Sequence, residues 1–524
     1  MSESRPTGVA EATDDFSSKG GGGTLFKAES RPGLKRKTAR GALVSTAAQL
    51  VTFVLRTGSM VVLARLLTPT DFGLIGMVTA FTGFLSLFRD IGLSMATVQR
   101  ESVTQAQIST LFWINLALGA ILGAFCVVVA PGLVAFYHQP RLFSIAAVLG
   151  LGFVFNGLAV QHRALLQRAM RFADLAIVDV VSLVLSVALG IGMASGGFGY
   201  WSLVASAVSL PAFSMVGVWV AARWSPEMPR RGIGIRSMVK YGGTVTLNNL
   251  IVYFAYNIDK ILIGRFWGAE TLGIYGRAYQ LINLPTENLN SVLGLVAFPA
   301  LARIQDDPVG LREYFLKGYG FFLSLVVPLT ISCGLFADDI IRVFLGAKWH
   351  EAASVFRLLA PTILVFALIN PLAWVMLAGG HAGRSLRIAF LIAPVVIVGY
   401  LLGLPNGPIG VATGFSAAML LLVVPVIIWA KHGTLITNSD IMRVVSRPLF
   451  AALVGAIIAM SLKPWWLGIN PAILRLSLAC AFLFGAYFVM LFFVLGQKDV
   501  FVGVIRQTGL WPLGKNRNGG QPES

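Results

Sequence analysis

Charge is what this sequence has least of. Only 12% of its 524 residues are Asp, Glu, Lys or Arg, whereas 56% are hydrophobic. Soluble domains carry about 25% charge. A larger water-soluble core does not account for the deficit, because such cores stop growing at roughly 250–300 residues. Cysteine is scarce as well. Cys126, Cys333 and Cys480 each sit inside an apolar run, at no spacing that reads as a zinc or redox motif. The five histidines lie in separate connections, so no metal cluster and no cofactor is expected. An early apolar stretch is missing too, which excludes a cleavable signal peptide. No loop is long enough to fold as a domain, and no paired carboxylates mark a loop tip. Those absences argue against a membrane polymerase or glycosyltransferase and against an enzyme of any kind.

What is present is apolar length. A bilayer core about 30 Å thick needs about 20 apolar residues per helical crossing. Fourteen such runs can be read, near 41–64, 72–95, 108–131, 142–162, 175–194, 200–222, 240–264, 272–298, 314–337, 352–378, 385–404, 409–430, 448–467 and 472–496. Pro285 is expected to break the eighth and Pro328 the ninth. The class is therefore an all-α integral membrane protein.

The net charge of +18 would suggest nucleic acid in a soluble protein. Here the basic residues fall in short gaps between apolar runs, so the bilayer is the partner and nucleic acid is excluded. Alternate gaps are rich in them: Arg163, Arg168 and Arg171; Arg223, Arg230, Arg231, Arg236 and Lys240; Arg303, Arg312 and Lys317; Arg384 and Arg387; Lys431, Arg443 and Arg447. The intervening gaps carry far fewer, and those near 195–199 and 405–408 carry none. This alternation puts both termini in the cytoplasm. Residues 1–40, with Gly20–Gly23 and a basic end at Lys35, Arg36, Lys37 and Arg40, read as a disordered cytoplasmic tail, and 497–524 as a second tail.

The chain also repeats at an offset of 200. Val62-Leu63-Ala64-Arg65-Leu66-Leu67 matches Leu262-Ile263-Gly264-Arg265-Phe266-Trp267, and Phe72-Gly73-Leu74-Ile75-Gly76 matches Leu272-Gly273-Ile274-Tyr275-Gly276. Six spans separate the copies, so the halves share one orientation. The expected architecture is two six-helix bundles, 41–222 and 240–430, related by a pseudo-twofold axis along the membrane normal, with two appended helices at 448–496. Transporters built from parallel repeats place their cargo between the halves.

The segment Ala64-Arg65-Leu66-Leu67-Thr68-Pro69-Thr70-Asp71-Phe72-Gly73-Leu74 resembles the first outer turn of Wzx-type polysaccharide flippases. So does Leu87-Phe88-Arg89-Asp90-Ile91-Gly92-Leu93 with Val98-Gln99-Arg100, while Tyr256-Asn257-Ile258-Asp259-Lys260-Ile261-Leu262-Ile263-Gly264 is similar to the matching second-half element. The resemblance covers roughly 40–430 and is strongest to the exopolysaccharide branch of the multidrug/oligosaccharidyl-lipid/polysaccharide exporter superfamily. It implies a MATE-like fold in a bacterial inner membrane. It implies as cargo an undecaprenyl-diphosphate-linked oligosaccharide for exopolysaccharide or lipopolysaccharide synthesis. It also implies a polysaccharide polymerase and chain-length or export proteins as partners. A small-molecule extruder of the same fold is the alternative, and an acidic cavity would favour it.

Charges inside spans are the candidate site. Arg56 lies deep in the first span and Glu287 near the middle of the eighth. Asp259, Lys260 and Arg277 lie toward outer ends, and Arg89 and Asp90 toward an inner end. Arg56, Arg277, Lys260, Asp259, Arg89 and Asp90 are the substrate-binding candidates, and Glu287 the coupling candidate. The bland alternatives are snorkelling for Asp259, Lys260 and Arg277, local pairing for Arg89 and Asp90, and a structural ion pair between Arg56 and Asp259 or Glu287.

Overall fold

In the computed structural model the described residues are 34–89, 97–98, 103–229, 253–254, 256–304, 306–379, 382–498 and 501. Among them the regular structure is helical throughout. The chain divides into two compact units, residues 1–273 and 274–524. The expected N-terminal tail through residue 33, Asp90, the first part of the seventh span and most of the C-terminal tail lie outside the described residues.

The first unit holds α1 (Leu34–Leu66), α2 (Pro69–Ser86), α3 (Gln105–Tyr137), α4 (Leu142–Arg168), α5 (Phe172–Ser195), α6 (Tyr200–Ala222) and the start of α7 (Ile258–Arg303). The second holds the rest of α7, then α8 (Pro308–Leu335), the short α9 (Ala337–Phe344) and α10 (Ala352–Leu359), α11 (Pro361–Ala378), α12 (Ala382–Gly403), α13 (Gly407–Lys431), α14 (Asn438–Ser461), α15 (Lys463–Leu467) and α16 (Ala472–Val489). Ten helical runs are long and apolar enough to cross a membrane, one of them the 49-residue stretch Gly383–Lys431 that contains both α12 and α13. Together with α2 and the two arms of α7, the described part of every apolar run read from the sequence carries helix.

Local chemistry sets several of these starts. Thr68 and Asp71, Thr104 and Gln107, and Thr437 and Asp440 each form a capping box, in which the hydroxyl accepts from the third backbone N–H and the acid or amide returns a bond to the cap. Such a cap stabilises by about 1 kcal/mol. The last of them moves a boundary. α14 begins at Asn438 rather than near 448, because Asp440 is both cap partner and ion-pair partner of Arg312, with N–O distances of 2.6 and 2.9 Å.

Close helix pairs rest on glycine. A Cβ at Gly399 would come 2.6 Å from the Gly414 carbonyl oxygen, and one at Gly403 2.1 Å from that of Gly410, so α12 and α13 touch backbone to backbone. Breaks fall elsewhere than expected. α7 continues through Pro285 and turns at Gly268 instead, where φ is 81°. α8 continues through Pro328. Proline at 328 frees the carbonyl of Ser324, and the Tyr487 hydroxyl donates to it at 2.8 Å.

Candidate functional site

The expected site residues fall into three groups. The first is on α1. Arg56 is exposed within the spanning part of the helix, Thr46–Leu66. It has company: Gln49, Thr52, Arg56 and Ser59 recur at three- and four-residue spacing and so share one face. None of the four is buried, whereas Leu50 and Val54 on other faces are exposed apolar residues, as lipid contact requires. α1 packs on α5, and the polar stripe is not consumed by that packing. Within its unit and among the described residues Arg56 forms no ion pair, so the structural pair with Asp259 is not made. A guanidinium, an amide and two hydroxyls in a row suit a water-accessible wall and not hydrocarbon. The spacing was in the sequence; reading Arg56 alone missed the stripe.

The second group is the first turn of α7. Asp259 is fully buried there and Lys260 half-buried, its Nζ donating to Asn257 Oδ1 at 2.8 Å. The position of Asp259 at a helix N-terminus suits its charge. It does not snorkel outward. Nearby, the Tyr253 hydroxyl donates to the Ala80 carbonyl at 2.8 Å, tying this segment to α2.

The third group lies on the later part of α7, in the second unit. Arg277 is half-buried and donates from Nη1 to Gln280 Oε1 at 2.5 Å; Gln280 and Glu287 are exposed. Positions 277, 280 and 287 fall on one helix face. Arg89 belongs to neither of the two groups in its own unit. It is exposed just beyond α2, with Nη1 3.4 Å from Asn156 Oδ1 on α4. Asp90 lies outside the described residues.

Sequence reasoning passed over two charges inside spans, Arg357 in the run at 352–378 and Asp179. Asp179 on α5 receives both arms of Arg163 on α4, at 2.5 and 3.2 Å, and Arg163 also donates to Ser214 Oγ on α6 at 2.9 Å. Arg163 was counted as a loop charge; here it joins three helices. No group of three His, Cys, Asp or Glu side chains suited to a metal occurs among the described residues.

A family of polysaccharide biosynthesis proteins matches residues 62–354. The chain belongs to that family. Its relatives include the teichuronic acid biosynthesis protein TuaB of Bacillus subtilis, 27% identical over 71% of this chain and 82% of TuaB. They also include the lipopolysaccharide biosynthesis protein WzxC of Escherichia coli, 24% identical over 74% of this chain and 80% of WzxC. Among solved structures, the lipid II flippase MurJ in an inward closed conformation matches with a TM-score of 0.64 at 12% identity, over 89% of this chain and 99% of MurJ. An inward-facing multidrug resistance MATE transporter matches with a TM-score of 0.55 at 15% identity, over 77% and 98%. At those identities the likeness is one of fold. It bears out the MATE-like membrane architecture, and the family match bears out the resemblance to Wzx-type flippases.

Proposed function

We propose that this family member is a flippase that carries undecaprenyl-diphosphate-linked oligosaccharide repeat units from the inner to the outer leaflet of the bacterial inner membrane. The observation that carries the proposal is the polar stripe on α1, exposed at Gln49 and Arg56 and half-buried at Thr52 and Ser59. A diphosphate and its sugars are costly in hydrocarbon, at several kcal/mol per isolated buried charge even after relaxation. A wet wall with a guanidinium lowers that barrier while the polyprenyl tail stays in lipid. Arginine suits phosphate because its fork is bidentate and keeps its charge. Lys260 and Arg277 extend the basic character, and Glu287 is the coupling candidate. The two repeats at 41–222 and 240–430 act as the moving halves, with 448–496 appended and both termini cytoplasmic. Polymerase and chain-length or export proteins take the product.

The test is a deletion strain. Loss of the gene is expected to leave lipid-linked repeat units accumulating in the inner leaflet with polysaccharide export abolished, and the intact gene to restore both. Normal export with no accumulation, together with lost resistance to small cationic compounds, would favour the extruder instead.

A further inference from the structure

A cavity of about 240 Å³ lies in the second unit, between α9 with the connection that follows it and the start of α16. By the loop charges this end of the unit is the outer one. Its lining is charged: Asp338, Asp339 and Arg342 on α9, His350 in the connection and Arg475 on α16. The backbone around it is well anchored. Ile341 and Ala353 are buried in its wall, Trp349 is fully buried in the same connection, and Gly346 makes the turn after α9 at φ 99°.

The two acids are only half engaged. Arg475 Nε donates to Asp339 Oδ1 at 2.8 Å, and its Nη2 donates to the same oxygen. Arg357 Nη2 donates to Asp338 Oδ2. Among the described residues Asp339 Oδ2 and Asp338 Oδ1 accept no hydrogen bond, and the side chains of Arg342 and His350 make none. The Asp339 side chain is only 18% exposed, so a free acceptor there is costly unless something polar meets it.

This arrangement selects a ligand by its chemistry. Positions 338, 339 and 342 share one face of α9. Arg357 and Arg475 neutralise the two acids, and Arg342 leaves one positive charge over. A carboxylate meets that charge through the guanidinium fork. The free carboxylate oxygens lack donors, which sugar hydroxyls supply. A phosphate brings none and sets a larger negative charge against Asp338 and Asp339. The volume falls below the about 300–1,000 Å³ of sites for drug-sized ligands and suits a single sugar ring.

We propose that this cavity binds an acidic sugar, a hexuronate, with its carboxylate on Arg342, its hydroxyls donating to Asp338 and Asp339, and His350 as a further hydrogen-bonding group. That the sugar comes from the exported polysaccharide rests on the transport reading above; the binding itself does not.

The test is saturation-transfer NMR on the full chain in phosphatidylcholine nanodiscs. Sodium D-glucuronate and sodium D-galacturonate are the probes, and D-glucose is their neutral match. Transfer to at least one uronate is expected, with glucose roughly tenfold weaker or more. Arg342→Ala removes no bond of the fold and is expected to weaken uronate binding roughly tenfold to a hundredfold, and Arg342→Lys to weaken it less. Ala347→Trp, at an exposed position of the lining, fills the cavity without touching a charge and should abolish binding. No transfer to either uronate overturns the proposal, and so does binding unchanged in both Arg342→Ala and Ala347→Trp. Displacement of the uronate by an equal concentration of inorganic phosphate would make this a simple anion site. Loss of the signal when phosphatidylglycerol replaces phosphatidylcholine would make it a headgroup site; either result ends the proposal. The probes are free monosaccharides, so failure here leaves the flippase reading standing, whereas normal export in the deletion strain would sink that reading with the uronate still bound.

Discussion

The hydroxyl of Tyr487 on α16 lies 2.8 Å from the carbonyl oxygen of Ser324 on α8, the acceptor that Pro328 leaves without a helical N–H. α16 thus satisfies the backbone of α8. Tyr487 is fully buried, so water does not replace it. Tyr487→Phe is expected to cost about 1–3 kcal/mol, the penalty for an unsatisfied buried acceptor. A lowered melting temperature in detergent checks this. Pro328→Ala in the same protein supplies the missing N–H and should recover much of the loss.

Arg163 and Asp179 give a second prediction. Their side chains are 34% and 46% exposed, so the cost of breaking them is discounted to about 1–2 kcal/mol from the value for a fully buried pair. Asp179→Ala should reduce the accumulated protein, and the exchange Arg163→Asp with Asp179→Arg should restore part of it. Equal levels in the single variant and the parent would show that Ser214 alone suffices as a partner.

The apolar runs were legible because lipid imposes one rule everywhere: satisfy the backbone within the helix. Thr68, Thr104 and Thr437 were equally readable as caps, each followed three residues on by Asp or Gln. What escaped was partnership. Nothing near Pro328 in sequence announces Tyr487, 159 positions on, so a break was the natural expectation. Asp440 lies ahead of the run read at 448–467, and its clasp by Arg312 adds to the cap that starts α14 at Asn438. The stripe of Gln49, Thr52, Arg56 and Ser59 was legible from spacing, but its freedom from packing belongs to the fold.

Orientation is open to labelling. Ser439 is exposed in the first turn of α14, beside the basic Arg443 and Arg447. Ser439→Cys is expected to react with an impermeant maleimide in inverted vesicles and not in intact cells. Reaction from outside would reverse the topology argued from loop charge.

Glu287 is exposed on the same face of α7 as Arg277 and Gln280. A carboxylate at that depth is suited to proton or sodium exchange during the cycle. Glu287→Gln is expected to lower export and to change its dependence on pH or sodium. Wild-type rate with both dependences intact removes Glu287 from coupling.

Arg56 carries the most weight. Its place on an exposed polar face argues for a contact with the diphosphate or acidic sugars of the cargo, and a phosphate contact depends on charge and on the guanidinium fork. Arg56→Ala is expected to lower export by roughly tenfold to a hundredfold while leaving inserted protein at the parental level. Arg56→Lys should keep partial export, because the charge survives and the bidentate geometry does not. A charge-assisted bond of this kind is worth about 1.5–3 kcal/mol, which corresponds to a fall of roughly tenfold to a hundredfold. Gln49→Ala and Thr52→Ala, on the same stripe, should each lower export less, since a neutral donor contributes about 0.5–1.5 kcal/mol. A purely structural role for Arg56 predicts the opposite pattern: reduced protein level in Arg56→Ala, and normal export per molecule that remains. The decisive quantity is polysaccharide exported per inserted protein across the four variants. Full export by stably inserted Arg56→Ala would take Arg56 out of the cargo path and leave the α1 stripe without its central charge.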